Sequence, residues 1–102
     1  MTESTVYFTK DVSADALVRI FEALNHPLKG KVGVKISSGE PGGNNYLHPE
    51  LIKKIVDKVH GTIIECNTAY EGGRNTTERH WKAMEDHGFV KNFPCDIMDE
   101  EG

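Results

Sequence analysis

Hydrophobic and polar residues change their spacing several times along this chain, and these changes predict alternating strands and helices. Residues 4–9 are rich in β-branched and aromatic side chains, which is typical of a short strand. Residues 31–36 alternate between apolar and polar, which predicts a strand with one buried face. Residues 62–66 are apolar on both faces at Ile63 and Ile64, so this is expected to be the most buried strand.

Three other segments repeat their apolar residues at helical spacing. We predict helices over residues 13–25, 49–60 and 76–87. Ser13 is a suitable N-cap for the first helix, and Pro49 suits the first position of the second.

The helix ends carry further signals. Gly61 and Gly88 are expected just beyond the second and third helices, where a left-handed residue commonly ends a helix. Asn75 and Glu78 have the spacing of a capping box at the start of the third helix.

The resulting order, βαβαβα, predicts an α/β fold with a parallel sheet and right-handed crossovers, similar to half of a Rossmann fold. We expect a single domain over residues 4–93. Residues 94–102 are then an acidic C-terminal tail or the truncated start of a further strand. The polar face of strand 31–36 predicts two layers, with helices on one side only, or three layers with one layer missing from this chain.

Composition and charge exclude several classes of function. The chain has 102 residues and a net charge of −4, which argues against general nucleic-acid binding because that requires a basic face. No apolar run approaches the ~20 residues of a membrane span, so no membrane partner is expected. The N-terminus lacks the pattern of a signal peptide. Two cysteines in different contexts favour free thiols and a cytoplasmic location.

The position of the loop over residues 67–76 predicts a binding site there, because ligands bind beyond the carboxyl ends of parallel strands. Its glycines allow close backbone approach, Arg74 can hold a carboxylate or phosphate bidentately, and a helix N-terminus follows. We therefore predict that a small anionic ligand binds between loops 37–48 and 67–76. The predicted ligand-binding residues are Lys35, Ser38, Asn67, Glu71, Gly72, Gly73, Arg74, Asn75 and Thr76.

Three alternatives remain beside anion binding. A metal site would draw on ligand types at His48, Cys66, Glu71 and His80, but none of them has metal-binding spacing, so no metal ligand is predicted. Catalysis would need an activated nucleophile or carboxylate, at Cys66, Glu40, Glu65 or Glu71. A non-enzymatic module would instead dock onto another domain or form a homodimer.

Several segments resemble a family of uncharacterised bacterial and archaeal proteins described as iron–sulfur-centre proteins with a domain of unknown function. The likeness covers nearly the whole chain, and its most specific part is Asn67-Thr68, Gly73-Arg74 and Asn75-Thr76, followed by His87-Gly88-Phe89. The longer matching stretches are VGVKISSGEPGGNNYLHPE, CNTAYEGGRNTTERHWKAMEDHGF and FPCDIMDEEG.

The resemblance implies a longer relative with a ferredoxin-like module toward its C-terminus. This chain has no C-x-x-C-x-x-C run, and two cysteines cannot hold a four-cysteine cluster. The chain is therefore similar to the N-terminal part of such a protein, or to a member of the family that lacks the cluster. No cofactor is expected in it, and a 4Fe-4S cluster would belong only to a fused module. The resemblance implies no reaction.

Overall fold

A computed structural model describes residues 3–101, in which helices alternate with strands. The elements are α1 (Ala14–Ala23), β1 (Val32–Lys35), α2 (Pro49–Lys58), β2 (Gly61–Glu65), α3 (Thr77–Asp86), α4 (Phe89–Asn92) and β3 (Cys95–Ile97).

The three strands form one all-parallel sheet in the order β1-β2-β3. Val34 is paired with Ile63, and Ile63 with Cys95, so β2 lies in the centre. The predicted α/β fold with a parallel three-stranded sheet is confirmed, including the parallel pairing of the strands predicted at 31–36 and 62–66.

The prediction of a strand at residues 4–9 is wrong. This segment forms no strand, and none of its backbone amides hydrogen-bonds to another backbone group among residues 3–101. Part of it lies against α1, away from the sheet, where Val6 and Tyr7 line a hollow with Phe21. Residues 95–97, expected to be tail or the start of a further strand, supply the third strand instead.

The fold has two layers. The chain steps from β1 to β2 to β3 in one direction, and right-handed crossovers in one direction place their helices on the same face. The core accordingly joins the sheet to α2, α3 and α4 through Ile36, Ile52, Val56, Ile63, Met84, Phe89, Phe93 and Ile97.

On the opposite face of the sheet, a shallow hollow is lined by residues such as Gly33, Thr62, Ile64 and Asp96. Within residues 3–101, no helix covers this face, which accounts for the polar alternation of β1.

Local chemistry explains how the first helix and the second begin and end. The Ser13 hydroxyl accepts a hydrogen bond from the Ala16 amide, which confirms the predicted N-cap of α1. Pro49 is the first residue of α2, as predicted. At the end of α2, His60 adopts the left-handed conformation (φ 52°), whereas Gly61 already belongs to β2.

The third helix starts one residue later than predicted. Thr76 is the N-cap of α3, and its hydroxyl accepts from the Arg79 amide, so the predicted capping box of Asn75 and Glu78 is wrong. Gly88 has φ 86° just beyond α3, which confirms it as the residue that ends this helix.

Candidate functional site

Loops 37–48 and 67–76 meet beyond the carboxyl ends of β1 and β2. Glu40 of the first loop forms an ion pair with Arg74 of the second, with 2.7 Å between Oε1 and Nη2. Pro41 lies directly over Gly73. At the predicted position of the site, two loops and two strand ends therefore come together.

The carboxylate of Glu65, the last residue of β2, is the hub of this junction. Its Oε2 accepts hydrogen bonds from the Ser38 amide at 2.8 Å and the Ser38 hydroxyl at 2.6 Å. Lys35 Nζ donates to Oε1 at 3.1 Å, and Arg74 Nη1 lies 3.4 Å from Oε2. One side chain thus joins both strand ends to both loops.

These contacts keep Glu65 ionised although its side chain is only 3% exposed. Burial by itself raises the pKa of a carboxyl group, because it penalises the charged form. Here the hydrogen bonds from Ser38 and the charge of Lys35 outweigh burial and lower the pKa of Glu65 from 4.5 to about 2.

His80 extends the hub into α3. Its Nε2 lies 3.2 Å from Ser38 Oγ and 3.3 Å from Glu65 Oε2, and its Nδ1 lies 3.1 Å from Asn67 Oδ1. Asn67 Nδ2 in turn donates to the Thr77 hydroxyl at 3.0 Å.

The distances among Ser38, His80 and Asn67 match those of a serine–histidine–amide triad. However, Ser38 and His80 are both completely buried, and the Ser38 hydroxyl already donates to Glu65. The Ser38 hydroxyl is thus closed off from solvent, and its contacts join the first loop to β2 and α3.

Arg74, which was expected to bind an anionic ligand, is instead bound by other side chains of the protein. Its guanidinium is engaged by Glu40, by Glu65 and by the hydroxyl of Tyr70, the last at 2.9 Å. Only 11% of its side chain is exposed. Arg74 therefore has a structural role, because it ties the two loops together.

The two adjacent glycines of loop 67–76 are used differently. A Cβ on Gly73 would come within 2.3 Å of Pro41 Cγ, so only glycine fits under this proline. Its φ is not positive, so the close approach of Pro41, and not a left-handed backbone, is what requires glycine here. A Cβ on Gly72 would meet only ordinary contacts, the nearest at 3.8 Å from Tyr70.

The remaining predicted residues fall into three groups. Lys35, Ser38 and Asn67 belong to the polar network around Glu65 and His80. Glu71 is exposed and makes no hydrogen bond within residues 3–101, and Asn75 and Thr76 serve the start of α3.

Sequence reasoning did not find the role of His80, which it considered only as a metal ligand. A histidine on the core-facing side of α3 was the available signal. Within residues 3–101, no group of three or more histidine, cysteine, aspartate or glutamate side chains is placed to hold a metal ion.

A cleft of about 610 Å³ opens beside this network, at the carboxyl end of β1. Lys35 supplies its positive charge, and its side chain is 54% exposed. Tyr46 forms part of the wall and is fixed by stacking on His87, with 4.1 Å between ring centroids. The lining residues are Lys35, Ile36, Ser37, Asn44, Asn45, Tyr46 and Leu47.

Comparison with protein-family models, with curated proteins and with solved structures finds no match for this chain. Among residues 3–101, none of the helices combines the length and the hydropathy of a membrane span.

Proposed function

We propose that this chain binds a small carboxylate-bearing molecule in the cleft at the end of β1, with the Lys35 ammonium as its charged contact. The observation that carries the proposal is the position of Lys35. Its ammonium donates to Glu65 and to the Ile36 carbonyl, which hold it at the cleft, and half of the side chain remains exposed. An ammonium has three donors, so one is left for a ligand.

A single carboxylate suits this cleft better than a phosphate. Phosphate sites commonly use backbone amides at a helix N-terminus. Here α2 begins at Pro49, which has no amide hydrogen, and the Arg79 amide of α3 is already bound by Thr76. Glu40 and Glu65 also place negative charge nearby, which disfavours a dianion as long as Glu40 keeps its position on Arg74.

The experiment that tests this proposal is a titration of the labelled chain with propionate and, separately, with inorganic phosphate, followed by amide NMR. We expect propionate to shift the amides of Lys35 and of residues 44–47, and phosphate to shift them less. Shifts that are spread evenly over the surface would contradict a site in the cleft.

The family resemblance remains part of the proposal. The chain would be the N-terminal part of an iron–sulfur-centre protein, with any 4Fe-4S cluster in a fused module and none bound here. A cytoplasmic location is likewise part of this proposal. Cys66 and Cys95, which form no disulfide in the described residues, are compatible with it.

The second candidate function is a module that docks onto another domain or onto a second copy. The observation that favours it is the apolar surface around the N-terminal segment and α1. Val6, Phe8 and Val12 have 84%, 81% and 78% of their surface exposed. Clusters of exposed apolar side chains commonly mark interaction surfaces.

A further inference from the structure

We propose that the Glu40 carboxylate is an internal stand-in for a second carboxylate of the ligand, and that the natural ligand is a short dicarboxylate. In this proposal Glu40 occupies a binding position formed by Arg74 and Tyr70, beside the Lys35 cleft. The proposal rests on the proposed function, because it adds a second anchor to the same site.

Three donors converge on one oxygen of Glu40. The Tyr70 hydroxyl donates to Oε1 at 2.8 Å, Arg74 Nη2 at 2.7 Å and Arg74 Nε at 3.3 Å. The Nε and Nη2 edge of a guanidinium is suited to binding both oxygens of a carboxylate. Glu40 uses only one oxygen on this edge, so an incoming carboxylate could make a more complete set of bonds.

The donor side of this position is held in place without Glu40. Arg74 Nη1 is anchored by Glu65, and Nη2 also donates to the Tyr70 hydroxyl. Because these contacts are independent of Glu40, the donors should keep their arrangement when Glu40 leaves.

The Glu40 carboxylate, in contrast, is open to solvent on one side, as displacement by a ligand requires. Its side chain is 48% exposed. It stands between Gly39 and Gly42, which have φ of 90° and 77°, a conformation open mainly to glycine. The same loop continues to Asn44 and Leu47 in the cleft wall, so one loop contributes to both binding positions.

The choice of a dicarboxylate follows from the placement of the two cations. Lys35 contacts Oε1 of Glu65 and Arg74 contacts Oε2 of the same carboxylate, so the two anchors lie on either side of one side chain. A dicarboxylate that displaces Glu40 leaves the same local charge as a monocarboxylate that binds with Glu40 in place. A short dicarboxylate therefore satisfies both anchors without excess negative charge.

The competing interpretation is that Glu40 only fastens the two loops together. The two interpretations predict opposite effects of removing Glu40. If Glu40 only fastens the loops, its removal would loosen them and weaken ligand binding. If Glu40 is a stand-in, its removal would free Arg74 and strengthen ligand binding.

The experiment compares succinate affinity in the wild-type chain, Glu40→Ala and Glu78→Ala by NMR titration. Glu78 is exposed on α3 and makes no hydrogen bond within the described residues, so it controls for the loss of one negative charge. We expect Glu40→Ala to bind succinate roughly tenfold more tightly, in line with charged hydrogen bonds being released to the ligand. Glu78→Ala should stay within about twofold of wild type.

Further measurements assign the gain to Arg74. The Arg74 Nε–H signal of Glu40→Ala should move with succinate, and Glu40→Ala combined with Arg74→Ala should lose the gain. An unchanged or weaker affinity in Glu40→Ala, or an equal gain in Glu78→Ala, would overturn the proposal. Unperturbed amides of β2 and α2 would show that the variant is folded.

The outcomes separate this inference from the proposed function. Propionate shifts in the cleft of the wild-type chain, without a succinate gain in Glu40→Ala, would leave the Lys35 site standing and remove the stand-in. No shifts in the cleft with either probe in either variant would remove both.

Discussion

Glu65 is the residue on which the strand-end site depends most. Removal of one partner of a buried ion pair is costly because the remaining charge is left without compensation. The sequence offered Glu65 only as one of three candidate carboxylates, since its partner Ser38 lies 27 residues away in the chain. Only the packing of β1 against β2 brings the two together.

The lowered pKa of Glu65 predicts a specific dependence of stability on pH. A carboxyl group whose folded-state pKa lies below its unfolded value stabilises the fold above the unfolded value, and this contribution is lost as pH falls. For Glu65 the window runs from about 4.5 down to about 2. The contribution is roughly 3 kcal/mol of unfolding free energy.

Urea denaturation of the wild-type chain and of Glu65→Gln across this pH range measures the effect. Glu65→Gln should be less stable at pH 7 by roughly 3 kcal/mol and should lose less stability on acidification than wild type. Glu78→Gln serves as the exposed control and should follow the wild-type curve. Parallel curves for wild type and Glu65→Gln would contradict the role given to Glu65.

At the scale of elements, the two loops are ordered by each other. Their glycine and proline content identified them as loops, and their place after β1 and β2 identified them as a candidate site. The ion pair of Glu40 with Arg74 could not be predicted, because it joins residues 34 apart through side-chain geometry. For the same reason, the sequence indicated Arg74 as a ligand-binding residue but did not indicate its bond to Glu40.

The contact of Gly73 with Pro41 predicts different effects at two adjacent glycines. Gly73→Ala should force the loops apart, since its Cβ would lie 2.3 Å from Pro41 Cγ. We expect a loss of roughly 1–3 kcal/mol, the range for overpacking. Gly72→Ala has room for its Cβ and should cost under about 1 kcal/mol.

Thermal unfolding and amide NMR of the two variants measure this difference. Shifts in Gly73→Ala should concentrate around Glu40, Pro41 and Arg74. Equal stability of the two variants would show that the loops are not closely packed.

At the scale of the whole molecule, hydrophobic periodicity predicted the α/β class and most of the elements. It failed at both ends of the chain. Residues 4–9 have the composition of a strand but lie against α1 and pair with neither edge of the sheet, and β3 is too short, at three residues, to show a pattern. Amino-acid composition gives the preference of a segment for the strand conformation, whereas a strand also needs a neighbouring strand to pair with.

The exposed apolar residues near the N-terminus predict self-association of the isolated chain. Replacement of Val6 and Phe8 by serine should reduce it, because both side chains project from the surface around α1. Met98→Ser is a suitable control, since Met98 is also 52% exposed but lies just beyond β3.

Sedimentation velocity over a range of concentrations measures association in all three chains. We expect the wild-type chain and Met98→Ser to associate, and the double variant to sediment as a monomer at the same concentrations. A wild-type chain that stays monomeric at every concentration would contradict this prediction.

The affinity of Lys35→Ala for propionate, compared with that of Lys31→Ala, tests the central claim most directly. Lys31 is exposed and lies on the uncovered side of the sheet, away from the cleft. Lys31→Ala therefore removes one positive charge, as Lys35→Ala does, without changing the cleft. We predict that Lys35→Ala weakens propionate binding by roughly tenfold or more, as for the loss of a hydrogen bond to a charged group. Lys31→Ala should leave the affinity within about twofold of wild type. Equal affinities of the two variants would contradict a carboxylate site at Lys35.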